Sequence, residues 1–291
     1  MVAPNPAAQT AFGPMVLAAV EHHEAAGRRL VDDDLAESFL PARLRTLVRL
    51  TRFGPLRAAV IAASERAGPG LWASIACRKR FIDDKVSDPA AEIDTVVILG
   101  SGLDTRPYRI ARYSDLPVYE LDQAVNIERK TAAVQRALGD IPASVHLAGV
   151  DFEHDDVMTV LADNGFRDTG RSLFIWEGVT QYLTPQALHG TFEQLRAVVP
   201  GSRLVFTYVR QDFIDGTNLH GAEAVYRKFR RRRQVWKSGM EPESVEEILR
   251  GYGWRVIEQA GPSYYRDLYI RPTGRKISAS PIEWTALAIK D

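Results

Sequence analysis

Gly100, Gly102 and Asp122 are the residues whose types and spacing point most directly to chemistry in this chain. The apolar run Thr95–Leu99 (TVVIL) breaks into Gly100-Ser101-Gly102, and a second run, Val118–Leu121, ends in Asp122, 22 residues beyond the first glycine. Paired glycines let the backbone turn tightly and approach a ligand, while an acid at the tip of the neighbouring strand can accept from both hydroxyls of a ribose. The pattern points to an adenosine-containing cofactor with a free ribose diol. Two cofactor classes share it. A nicotinamide dinucleotide site usually adds a third glycine for helix packing and a helix N-terminus for the pyrophosphate. Here the third position is Thr105, so that fingerprint is incomplete. S-adenosylmethionine has no pyrophosphate and needs a cationic partner for its carboxylate, which a basic residue elsewhere can supply. The residues favour the methyl donor and leave the nicotinamide reading open.

A parallel sheet must hold these residues. From Thr95 onward strands and helices alternate with few interruptions, the pattern of a sheet covered on both faces. Strands are expected at Thr95–Leu99, Val118–Leu121, Val145–Val150, Ser172–Trp176 and Arg203–Val209. Ile127, Thr131, Val134 and Leu138 recur at helical spacing before Gly139. Thr184-Pro185 caps a further helix that carries Leu188, Phe192, Leu195 and Val199. The tail departs from alternation, with a helix over Val245–Arg250, a strand at Trp254–Gln259 and a last one around Glu283–Ile289, which suits an antiparallel hairpin at the sheet edge. Seven strands with that hairpin predict the α/β, Rossmann-like sheet of a class I methyltransferase, whereas a two-half dinucleotide fold would continue strand and helix. Residues 1–90 are helical in pattern and predict a lid over the open end of the sheet. Residues 91–291 form the cofactor-binding core, with a lid insertion at about 211–240.

Bulk properties exclude several classes. Thirty-seven basic residues balance 37 acidic ones, so no global field holds nucleic acid or an anionic membrane, and neither is expected as a partner. Apolar runs are strand-sized, and MVAPNPAAQTAFGP lacks a basic region before an apolar stretch, so a soluble cytoplasmic protein is expected. Cys77 is the single cysteine, which excludes an internal disulfide. No HExxH spacing occurs, and His22-His23 reads as part of an exposed helix face, so no metal is expected.

RKRFIDD (Arg78–Asp84), GSGLDTRPYR (Gly100–Arg109), ELDQAVNIERK (Glu120–Lys130) and EGVTQYL (Glu177–Leu183) together resemble the leucine carboxyl methyltransferase superfamily. LVDDDLAESFL (Leu30–Leu40) resembles the N-terminal signature of its bacterial branch, which includes polyketide carboxyl O-methyltransferases like that of tetracenomycin biosynthesis. The resemblance implies S-adenosyl-L-methionine as cofactor and assigns roles by position. Arg78 matches the arginine that grips the methionyl carboxylate, with Arg80 as the alternative should the loop slip. Gly100 and Gly102 match the cradle of the methionine moiety, and Asp122 matches the ribose-binding acid. Asp151 and Phe152 match the pair that receives adenine, one accepting from the exocyclic amine and the other packing on the ring. Glu177 matches the glutamate facing the sulfonium.

Other positions carry a weaker reading. Tyr182 and Glu177 are the candidates for lining the methyl-transfer centre. Asp104 and Arg106 read as a buried pair bracing the loop, beside Tyr108. The basic run from Arg227 to Lys237 places Val225, Phe229 and Trp236 on one face of a solvated amphipathic helix, with an acidic-substrate or homodimer surface as the alternative and nucleic acid disfavoured. A carboxylate nucleophile is ionised at neutral pH and needs no general base, and no histidine is fixed near the fourth strand. Carboxyl O-methylation is therefore expected ahead of hydroxyl O-methylation, and the resemblance implies a small, natural-product or polyketide-like acceptor. A catalytically silent cofactor-binding module is the non-enzyme alternative. The first 75 residues and Gln211–Met240 are expected to shape the acceptor pocket.

Overall fold

The structure, a computed structural model, describes residues 12–232 and 235–291. Its centre is a seven-stranded sheet of β1 (Thr95–Leu99), β2 (Val118–Asp122), β3 (Val145–Gly149), β4 (Ser172–Trp176), β5 (Arg203–Val209), β6 (Trp254–Ala260) and β7 (Glu283–Lys290). The strand order is β3-β2-β1-β4-β5-β7-β6. β7 enters antiparallel between β5 and β6, and the first five strands are mutually parallel. The expected strands are observed with ends shifted by a residue, and the terminal hairpin closes one edge.

Among the described residues five α-helices precede the sheet: α1 (Phe12–His22), α2 (Ala36–Phe39), α3 (Ala42–Leu50), α4 (Gly54–Ala67) and α5 (Leu71–Val86). Within the alternating region lie α6 (Arg106–Ile110), α7 (Ala124–Leu138), α8 (Val157–Asp163) and α9 (Pro185–Gln194). Beyond β5 come α10 (Gln211–Asp215), α11 (Glu223–Tyr226), α12 (Val245–Arg250) and α13 (Pro262–Tyr265). Thr184 caps α9 by accepting from Ala187 N–H, and Pro185 takes the first turn, where a missing N–H costs nothing.

Successive side chains of a strand point to opposite faces, so each parallel strand feeds two layers. Val96, Ile98, Val118 and Leu173 pack with residues of α1, α2, α5 and α7, while Val97, Leu99, Phe174 and Trp176 pack with α8, α9 and α12. The N-terminal helices thus contribute to the same core as one face of the sheet.

Two expectations are corrected. Val225, Phe229 and Trp236 do not share one helix: α11 widens to π-type turns over Arg227–Arg232, Arg233 and Gln234 lie outside the described residues, and Trp236 sits in a following segment without regular secondary structure. Trp236 still reaches the same small core, because its ring stacks on Phe229 at 4.8 Å and Val235 N–H donates to the Phe229 carbonyl at 3.0 Å. His23 is not on an exposed face. Its ring is tucked against Thr51 Oγ1 at 2.8 Å and Glu37 Oε2 at 3.3 Å.

Candidate cofactor and methyl-transfer site

The turn after β1 depends on Gly100 (φ 76°) and Gly102 (φ 47°), both in the left-handed region that favours glycine. A Cβ on Gly100 would also overlap Val179 Cγ2, in the segment that follows β4. Gly100 and Ser101 N–H both donate to the Leu121 carbonyl, at 2.7 and 3.0 Å, which staples the loop to the end of β2. Asp122 then accepts from Gly102 N–H at 2.6 Å, Gln123 N–H at 2.7 Å and Asn126 Nδ2 at 2.8 Å. An ionised carboxylate offers about four acceptor sites, so these three donors orient Asp122 and leave it capacity for a further hydroxyl.

Sequence reasoning missed the support beneath this loop. Glu120 of β2 and Lys130 of α7 are both 0% exposed and form an ion pair. Tyr108 Oη donates to Glu120 at 2.9 Å, and Lys130 Nζ reaches the Ser101 carbonyl at 3.5 Å. Burial pushes the Glu120 carboxyl up to about 7, against the opposing pull of Lys130. The available signal was an acid inside VYELD, a strand buried on both faces, where an ionisable group demands a partner. Thr105, the position of the absent third glycine, donates its hydroxyl to Asp33 at 2.7 Å and so ties the N-terminal segment to the loop.

A second cluster gathers where β1 and β4 end and β7 begins. Glu177, directly after β4, accepts from Arg78 Nε at 3.0 Å and Arg106 Nη1 at 2.6 Å, with Lys79 Nζ at 3.5 Å. Arg78 also pairs with Glu283 of β7. Arg106 bridges to Asp104 at 2.6 Å and Asp83 at 2.5 Å, so the Asp104–Arg106 pair does brace the loop. Burial alone would raise the Glu177 carboxyl, yet Lys79, Arg106 and Arg78 together outweigh it and hold that carboxyl well below the usual range. Glu283 goes the other way: burial raises it, and the pull of Arg78 offsets this only in part.

The expected site residues therefore fall into groups. Gly100, Gly102 and Asp122 meet directly, and Arg78 meets Glu177; Val179 packing against Gly100 joins the two sets. Arg80 turns elsewhere, its guanidinium 5.0 Å from the Tyr269 ring centroid. Arg78 Nη2 instead approaches Gly178 (φ 70°), where a Cβ would stand 3.0 Å away, and it has no protein acceptor among the described residues. Asp151 is exposed and accepts from Glu153 N–H at 3.0 Å, in a turn that starts where Val150 N–H bonds the Asp122 carbonyl at 2.9 Å. Phe152 is half-buried, its ring 6.3 Å from that of Trp176. Tyr182 lies in the turn Thr180–Tyr182, half-buried against the small core of the 211–240 insertion. Glu283 and Lys79 were not singled out by the sequence.

Comparison with known proteins agrees with this architecture. The leucine carboxyl methyltransferase family profile matches residues 11–196. A Mycolicibacterium smegmatis protein, named as a candidate S-adenosyl-L-methionine-dependent methyltransferase, is 33% identical over 69% of this chain and 68% of its own length. A similarly named Mycolicibacterium paratuberculosis protein is 41% identical over 45% of this chain, a match that spans 42% of that relative. Among solved structures, a candidate methyltransferase from Thermobifida fusca superposes with a TM-score of 0.57 at 19% identity, covering 100% of both chains. A DUF574-family protein from Streptomyces avermitilis gives a TM-score of 0.53 at 14% identity over 81% of this chain and 91% of that one. With a family match over residues 11–196 and this sheet order, the chain belongs to the leucine carboxyl methyltransferase family and has the class I methyltransferase fold.

Proposed function

We propose that this protein is an S-adenosyl-L-methionine-dependent O-methyltransferase acting on a carboxylate of a small acceptor. The methyltransferase class and its cofactor accord with the family; the acceptor is our reading. The observation that carries the cofactor reading is the pairing of an oriented acid, Asp122, at the glycine loop with a buried, carboxylate-braced guanidinium, Arg78; the acceptor reading rests on the absence of a histidine base from this cluster among the described residues.

The residues fit that cofactor. Asp122 keeps acceptor capacity for a ribose hydroxyl, Ser101 Oγ is buried without a hydrogen-bond partner, and Arg78 Nη2 is available to an anionic group. Asp151 and Phe152 follow β3, the strand paired with β2, and in this reading they would receive the base. When bound, the cofactor supplies a methyl group on sulfur that is already activated for displacement.

What remains for the chain is to align, neutralise and exclude water. Glu177 holds Arg78, Lys79 and Arg106 in place, so its first effect is to aim the guanidinium that would meet the methionyl carboxylate. Its oxygens are engaged by three cations, so electrostatic help toward a sulfonium is shared with these partners. No histidine stands within this cluster among the described residues, which suits a nucleophile that is ionised at neutral pH.

Thermal unfolding in the presence of ligands tests the cofactor assignment. S-adenosylmethionine or its demethylated product at about 100 times its dissociation constant should add roughly 2.7 kcal/mol of stability. Stabilisation by NADH and none by the methionine cofactor would overturn the reading.

A further inference from the structure

The geometry points to the exposed face of the α3–α4 segment as a docking surface for an anionic lipid bilayer. This goes beyond the proposed reaction and does not depend on it.

From residue 38 to residue 64 the chain contains Arg43, Arg45, Arg49, Arg52 and Arg57 and no acidic residue, so this stretch carries five positive charges in a chain whose formal net charge is zero. Global neutrality removes long-range steering, but a local patch acts within a Debye length regardless. Arg49 and Arg52 share Glu37, and Arg57 pairs with Glu24. Arg43 and Arg45 have no carboxylate partner among the described residues.

The same stretch exposes large apolar side chains. Leu47 (61% exposed), Leu50 (54%), Phe53 (63%), Leu56 (44%) and Val60 (38%) recur every three or four residues, and they are half of the exposed large apolar residues in the described chain. Leu47 and Leu50 share a face of α3, Leu56 and Val60 share a face of α4, and Phe53 stands at the turn between the two helices, while Val48 of α3 is buried and Ile61 of α4 packs against the core. α4 buries none of its 14 residues, although eight of them are Ala, Leu, Val or Ile. A helix of that composition left unburied by the described residues marks an interaction face.

Charge selects the occupant. With Glu37 and Glu24 set against the five arginines the face keeps an excess of three positive charges, Arg43 and Arg45 among them, and a second copy would set like charge against like, which opposes an isologous contact. An anionic bilayer attracts the arginines and offers an acyl boundary to Leu47, Leu50 and Phe53, the arrangement of helices that lie in the interface plane. Spanning is not involved: no helix of the described residues is long and apolar enough to cross a membrane.

Co-sedimentation of the full chain with sucrose-loaded vesicles tests this. The protein should pellet with an equimolar mixture of phosphatidylglycerol and phosphatidylcholine and not with phosphatidylcholine alone. Leu50→Ser with Phe53→Ser, and separately Arg43→Glu with Arg45→Glu, should each weaken partitioning roughly tenfold or more. Both pairs of residues are surface groups, so the unfolding midpoint should stay near that of the wild type. Absence of binding to the anionic vesicles, or equal binding to both compositions, would overturn the proposal. So would a concentration-dependent dimer in light scattering that Leu50→Ser with Phe53→Ser abolishes, since the face would then join two copies.

Discussion

Thr105 Oγ1 donates to Asp33 Oδ2 at 2.7 Å across 72 residues, with both side chains buried. The position that would be glycine in a dinucleotide loop is thus the point where the N-terminal segment is fastened to the cofactor loop. Thr105→Val keeps the shape and removes the hydroxyl, leaving a buried carboxylate oxygen short of a donor. That should cost about 1–3 kcal/mol in urea unfolding, with Thr105→Ser close to the wild type. Equal stability of all three would mean that the contact contributes nothing.

Gly100→Ala meets two obstacles, a φ of 76° and the Val179 side chain. Left-handed strain of about 1–2 kcal/mol and overpacking of about 1–3 kcal/mol should add. Adding Val179→Ala should recover the overpacking part and leave the strain. If the double variant is no more stable than Gly100→Ala, the close approach is not what fixes this glycine.

Asp122 both faces the candidate ribose position and braces Gly102 and the start of α7. Asp122→Ala should lose about 1.5–3 kcal/mol of cofactor affinity by titration calorimetry and also lower the stability of the free protein. Reduced stability with unchanged affinity would restrict Asp122 to the bracing role.

Removing only Lys130 strands the Glu120 carboxylate in the core, so Lys130→Met should cost about 3–5 kcal/mol at neutral pH, whereas adding Glu120→Gln should restore most of it. The pH dependence has a definite sign. The folded-state carboxyl of Glu120, near 7, lies above its ordinary value, so its contribution is present below the ordinary carboxylate range and is lost as pH rises through about 7. Urea unfolding followed from about pH 5 to about pH 8 should show that loss in the wild type. The double variant should lack it. A common slope for both would contradict the assignment.

The strands, α7, α9 and the glycine loop were legible because each leaves a local mark: an apolar run, a 3.6-residue period, a Thr-Pro cap, two glycines at a strand end. Asp122 was legible because its distance from Gly100 is set by one strand–helix–strand unit. Glu283 was not, since it meets Arg78 from 205 residues away and a contact at that separation leaves no periodic trace in the sequence. Trp236 shows the converse. Phe229 and Trp236 do meet, but through ring stacking across different segments, a contact that seven-residue spacing in the sequence does not distinguish from one helix face.

Methyl transfer itself is the most direct test of the central claim. The protein is incubated with S-adenosylmethionine labelled in the methyl group and a mixture of acidic small molecules, and the labelled product is then treated with mild base. The account predicts label transfer to an acceptor as a base-labile methyl ester. A base-stable methylated product would contradict the carboxylate assignment, and tight cofactor binding without transfer to any acceptor would contradict the enzymatic one.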